Sequence, residues 1–168
     1  MFKTIAIVCF TFAFATAWGK SAPITINLKD VLGNAVGDAK ITSAKKGVKV
    51  ALNLHGLPPG EHAIHFHEVG VCEGNFTTAK AHLASPGQNH GFKHKGGPHA
   101  GDLPNITVGA DGKVNTTIAG KKLTLAAKNK RDAASISSAA LIVHAKPDDY
   151  KTQPSGGDRI ACGVVPKT

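Results

Sequence analysis

Gly60-Glu61-His62-Ala63-Ile64-His65-Phe66-His67 is the stretch on which the reading of this chain turns. Ile64 and Phe66 alternate with His65 and His67, and a period of two marks an extended strand whose successive side chains leave opposite faces. Both imidazoles therefore project from one face, about 6.6 Å apart along the strand, close enough to reach one metal ion together. Taken alone, such a pair is as readily two surface histidines as two ligands.

The same alternation recurs on both sides. Ile24, Ile26 and Leu28 show it, as do Val48 to Leu54, Ile118 into Leu123 and Leu125, Leu141 with Val143, and Ile160 into Val164. Turn formers such as Leu32-Gly33-Asn34, Lys46-Gly47 and Pro58-Pro59-Gly60 punctuate these segments, and no helical periodicity competes with them. The expected fold is all-β, a sandwich or barrel.

Between Glu68 and Pro104 the alternation stops and Gly, Pro, His and Asn take over. Connections usually span about four to six residues, so a stretch this long needs something other than packing to order it. It contains His82, His90, His99 and Asp102, three nitrogens and a carboxylate of the kind a closed zinc site takes. His144 ends another expected strand and can complete the His65/His67 set, an imidazole-rich group suited to copper. A second irregular stretch, Lys146 to Asp158, carries Asp148 and Asp149.

The N-terminus reads as a secretory signal: Lys3, the apolar run Ile5 to Phe14, then the small-x-small Ala15-Thr16-Ala17. The run is too short to span a bilayer, so no stable membrane insertion is expected. Residues 1–17 are taken as the signal, with Cys9 inside it, and 18–168 as one domain exported to the periplasm or the extracellular space. Export leaves Cys72 and Cys162 in an oxidising compartment, where one disulfide is the default. Closing about 90 residues is worth roughly 4–5 kcal/mol as an upper guide.

The formal net charge is +9, and the signal removes only Lys3 from it. The lysines are dispersed or paired, and one Trp and one Tyr offer few stacking platforms. Nucleic acid is therefore not an expected partner, whereas a small anionic substrate is compatible with the charge.

Four runs together resemble the copper-zinc superoxide dismutases in their bacterial exported form. They are Gly60 to His67; His90-Gly91-Phe92 through Gly97-Pro98-His99-Ala100-Gly101-Asp102-Leu103-Pro104; Val143-His144-Ala145-Lys146-Pro147-Asp148-Asp149; and Gly157-Asp158-Arg159-Ile160-Ala161-Cys162-Gly163-Val164. The resemblance implies a Greek-key barrel or sandwich of about eight antiparallel strands with two long functional loops. It implies one copper per subunit on His65, His67, His82 and His144, and one zinc on His82, His90, His99 and Asp102, with His82 bridging the two. Asp148 would hydrogen-bond a ligand of each metal. Arg159 would orient superoxide at the copper, His82 would relay a proton, and Cys72–Cys162 would pin the ligand loop to the strand carrying Arg159.

The chain departs from the family after the bridging histidine, with Leu83-Ala84-Ser85-Pro86 for the usual Phe-Asn-Pro and Ala81 where glycine is common. The loop from Asp149 to Asp158 is short, and His94 is an alternative to His90 in a shifted register. Two rivals remain: a copper or zinc store, which predicts a missing ligand or an added Cys-x-x-Cys, and an adhesion sandwich with structural zinc. The exposed strand faces are compatible with a monomer or a homodimer.

Overall fold

The computed structural model describes residues 22–127 and 133–168; the expected signal segment lies outside the described residues. Eleven strands are named among them: β1 (Ile24–Asp30), β2 (Ala35–Ser43), β3 (Val48–Leu54), β4 (Gly60–His62), β5 (Ile64–His67), β6 (Ile106–Val108), β7 (Val114–Gly120), β8 (Leu123–Thr124), β9 (Ala134–Ser135), β10 (Ala140–His144) and β11 (Arg159–Val164). The only helical turn among the described residues is a short 3-10 segment, Thr77–Ala79.

Seven strands form one sheet in the order β5-β10-β11-β1-β2-β3-β7. β1, β2 and β3 are joined by hairpins; the chain then crosses to β5 at the other edge and comes back with β7 beside β3, a Greek-key connection, while β11 lies beside β1. β4 pairs antiparallel with β6 and runs through Ala63 into β5, so the short ladder links the far edges of the curled sheet. The all-β expectation holds, with one parallel pair, the two-residue strands β8 and β9, added to it.

The alternation that reveals the strands also builds the core. Ile26 and Leu28 of β1, Val48, Val50, Leu52 and Leu54 of β3 and Phe66 of β5 turn inward and are buried in one contiguous cluster. Each such side chain contributes roughly 1.5–3 kcal/mol through apolar area removed from water. β2 escapes the pattern because its pairing with β1 shifts between Leu28 and Lys29, leaving Val36 bulged. At Gly37, φ is +114° and a Cβ would lie 2.1 Å from the Asn53 carbonyl oxygen, so only glycine fits there. The run from Ile118 to Leu125 is likewise two strands, broken after Gly120.

Register places the site residues. His65 lies opposite Ile142, His67 opposite Ala140, and His144 opposite Arg159 after a bulge at Ile160 of β11. The long loop extends this edge, with isolated bridges pairing His65 with Asp102 and His67 with His82. Leu83 donates its N–H to Phe66 at 2.8 Å and accepts from Gly101 at 2.7 Å. Because these are backbone bonds, the unusual residues after His82 do not disturb it.

Candidate metal centre

Strand β5 supplies His65 and His67, β10 supplies His144, and the bridged loop brings His82, His90, His99 and Asp102 against them. Two groups of potential ligands result, His65/His67/His82/His144 and His82/His90/His99/Asp102, with the ligand atoms of each within 4.8 Å of one another. His82 belongs to both.

Asp102 organises the second group. Its Oδ2 accepts the backbone N–H groups of Gly91 at 2.8 Å and His99 at 3.0 Å, which turns Oδ1 toward three rings. Nδ1 of His82, His90 and His99 lies 3.0, 3.2 and 3.6 Å from that oxygen. In the first group, His67 Nε2 and His144 Nε2 are 3.4 Å apart, and the His65 and His82 ring centroids are 4.1 Å apart. His65 Nδ1 and His99 Nδ1 are buried and have no hydrogen-bond partner. An orphaned buried nitrogen is costly unless something else takes its lone pair, and here one orphan stands in each group. The donor set, three imidazoles with a carboxylate beside four imidazoles, fits zinc and copper respectively.

The outward-facing ring nitrogens are held by the surrounding structure. Asp148 joins the groups, accepting from His65 Nε2 at 2.9 Å and from His90 Nε2 at 3.0 Å. Its carboxylate is itself fixed by the Tyr150 N–H at 2.7 Å and the Ser155 hydroxyl at 2.8 Å. His67 Nδ1 donates to the Lys80 carbonyl at 2.9 Å, and His144 Nδ1 to the Gly157 carbonyl at 3.1 Å. Such partners orient imidazoles and settle which nitrogen is free for a metal.

Burial sets the charge states. It pushes the His65 imidazole down to about 4 against the pull of Asp148, and pushes His67 to about 2 and His144 to about 3. These three rings are neutral at pH 7, with lone pairs available. Burial opposes charge on His90 too, but Asp102 and Asp148 outweigh it and raise that ring to about 9. Burial also disfavours ionised Asp102 and Asp148, yet the imidazole and N–H donors hold both well below the usual carboxylate range.

A cleft of about 260 Å³ opens beside His67, His82 and His144 and is walled by Gln153, Pro154 and Arg159. Among the described residues no acidic side chain lines it, so Arg159 gives it a positive character. The Arg159 guanidinium donates to the carbonyls of Phe76 and Lys80. Both acceptors sit at positive φ, 64° each, in a loop tied down by the disulfide between Cys72 and Cys162, whose Cα atoms are 5.9 Å apart. Strained backbone of this sort persists where surrounding structure enforces it.

The sequence-predicted ligands, Asp148 and Arg159 thus gather in one region, while His94 stays exposed, its Nδ1 on the Lys95 carbonyl and outside both groups. What residue identity could not reveal are the carbonyls of Lys80 and Gly157, since every residue carries one. Gln153 and Ser155 were also invisible, because nothing in their local sequence marks them.

Residues 35–165 match the copper/zinc superoxide dismutase family. The chain is 41% identical over 137 residues to copper-zinc superoxide dismutase 2 of Aquifex aeolicus (strain VF5), covering 79% of this chain and 80% of that one. It is 41% identical over 138 residues to the copper-zinc superoxide dismutase of Caulobacter vibrioides, covering 79% of each. The solved Cu/Zn superoxide dismutase from Brucella abortus shares its fold with a TM-score of 0.73 at 31% identity, over 86% of this chain and 99% of that one. With a two-part histidine constellation on a Greek-key sheet and these matches along most of its length, the chain belongs to the copper/zinc superoxide dismutase family.

Proposed function

We propose that this chain is an exported superoxide dismutase in which His65, His67, His82 and His144 hold copper and His82, His90, His99 and Asp102 hold zinc. The observation that carries the reading is His82, the one side chain common to two complete ligand groups. A store for a single metal has no need of a shared ligand.

Bound copper supplies a one-electron couple by which one superoxide leaves as dioxygen and a second, taking that electron and two protons, leaves as hydrogen peroxide, while redox-inert zinc supplies fixed charge. The protein's own part is binding, orientation and proton handling. His82 presents Nδ1 to Asp102. Its Nε2 is left for the first group, where it would serve as a ligand and, when not ligating, would hold a proton and pass it to the reduced oxygen species. Arg159, fixed through Phe76 and Lys80, orients a small anion in the cleft by charge-assisted hydrogen bonds.

The disulfide and the bacterial relatives fit an exported protein. We propose residues 1–17 as the signal and the periplasm or the extracellular space as the destination. The decisive experiment follows superoxide decay after pulse generation in the presence of mature protein loaded with both metals. Catalysed decay is expected, and protein with full copper and zinc occupancy that left the decay unchanged would overturn the reading.

A further inference from the structure

On the outer side of the zinc ligands lies a second concavity, about 530 Å³, whose back wall is His99, Ala100 and Asp102. It is larger than the cleft at Arg159 and chemically different. Its sides are the rings of Phe92, Tyr150, Pro98 and Pro104, and its rim carries Lys93, Lys121 and Lys122. Small-molecule sites have this make-up, mostly apolar with a few placed polar groups, in volumes of roughly 300–1,000 Å³.

The aromatic wall is built rather than incidental. Tyr150 is held at φ +62°, a conformation costly for a bulky residue. Three contacts enforce it. Its hydroxyl accepts the Asn105 N–H at 2.6 Å, its carbonyl accepts the Lys93 N–H at 3.0 Å, and Gly91 packs so closely that a Cβ there would lie 2.0 Å from the same carbonyl oxygen. Phe92, still 48% exposed, leans on the Tyr150 ring with centroids 5.2 Å apart. The open side of this wall is available to another flat, apolar group.

Charge selects the occupant. The only acidic side chain lining the pocket among the described residues, Asp102, turns its carboxylate inward to Gly91, His99 and the rings of His82 and His90. The lysines have no acid to pair with: the one Lys–carboxylate ion pair among the described residues is between Lys113 and Asp111. Lys93 lies 5.6 Å from the Tyr150 ring centroid, and Lys122 is steadied at the pocket edge by a 3.0 Å bond to the Pro98 carbonyl. Three cations around an apolar floor complement an aromatic molecule carrying one negative group.

We propose that this pocket binds amphipathic aromatic anions, the ring lying against Phe92 and Tyr150 and the carboxylate or sulfonate reaching Lys93 and Lys122. The proposal does not rest on the dismutase reading: the pocket shares His99 and Asp102 with the proposed zinc group, but the residues that would meet the ligand, Phe92, Lys93, Lys122 and Tyr150, hold no metal and line no part of the cleft beside His67, His82 and His144.

The test uses mature protein carrying both metals and two probes, 8-anilino-1-naphthalenesulfonate and its uncharged relative N-phenyl-1-naphthylamine. Saturable one-to-one fluorescence enhancement is expected for the sulfonate, with affinity about fivefold lower for the neutral probe and reduced by salt. Phe92→Ala and the double variant Lys93→Gln/Lys122→Gln should each weaken sulfonate binding about fivefold or more. Lys40→Gln/Lys49→Gln, on the outer face of β2 and β3, should leave it unchanged. Absent or unsaturable enhancement, equal affinity for both probes, or variants that bind like the parent would each overturn the proposal. So would light scattering that shows a dimer which Phe92→Ala dissociates, because the face would then be closed by a second copy.

Discussion

Arg159 Nη2 donates to the backbone carbonyl of Lys80 at 2.6 Å, and that same oxygen accepts the Nδ1–H of His67 at 2.9 Å. One carbonyl thus couples the group proposed to orient substrate to a ring proposed to hold copper. Lys80 reaches this arrangement at φ 64° and ψ −143°, a region glycine occupies with least strain.

Arg159→Ala should therefore lower the superoxide rate about tenfold or more while copper and zinc contents stay at the parental level. Pulse radiolysis across ionic strengths reads both the rate and its salt dependence. An unchanged rate and salt slope would remove Arg159 from substrate guidance.

Asp148→Asn keeps the shape of the side chain but loses the full charge between His65 and His90. Both metals should bind about 10- to 100-fold more weakly, as for other partners that orient ligating imidazoles. Competition with chelators, followed separately for zinc and copper, distinguishes this from an effect on one site alone. Loss confined to one metal would show that Asp148 does not couple them.

Removing the disulfide by Cys72→Ser/Cys162→Ser should destabilise the protein by roughly 2–5 kcal/mol, since the bond closes a separation of 90 residues. Guanidinium denaturation measures this. The rate should fall too, as the loop that bears the Arg159 acceptors loses its tie to β11. A variant with parental rate would place the support of Arg159 elsewhere.

For the metal-free protein, stability should be greatest near about pH 7. His65, His67 and His144 titrate lower in the folded state, about 4, 2 and 3, than the unfolded 6.5. Unfolding therefore takes up protons, and stability falls as pH drops below 6.5, with about three protons absorbed near pH 5. His90 has the opposite sign: raised to about 9, it contributes stability below 6.5 that is lost as pH climbs toward 9. Urea denaturation at a series of pH values should trace this dome. A monotonic rise toward pH 9 would contradict the raised state of His90.

The sequence by itself determined the fold class and the candidate ligands. Period-two alternation is a local property of an extended chain, so β1, β3, β5 and β10 could be read from it, and the choice of His and Asp for metal chemistry is written in residue identity. The bulge at Val36 hid β2 because one extra residue exchanges the inward and outward sides. Tertiary structure alone decided what depends on contacts between distant segments. The bridges that lay His82 and Asp102 along β5, the carbonyls of Lys80 and Gly157 on the His67 and His144 rings, the hold of Asp148 on both groups and the wall formed by Phe92 and Tyr150 are all of this kind. Backbone carbonyls and loop approaches leave no residue signature, so they became visible only once the chain had closed on itself.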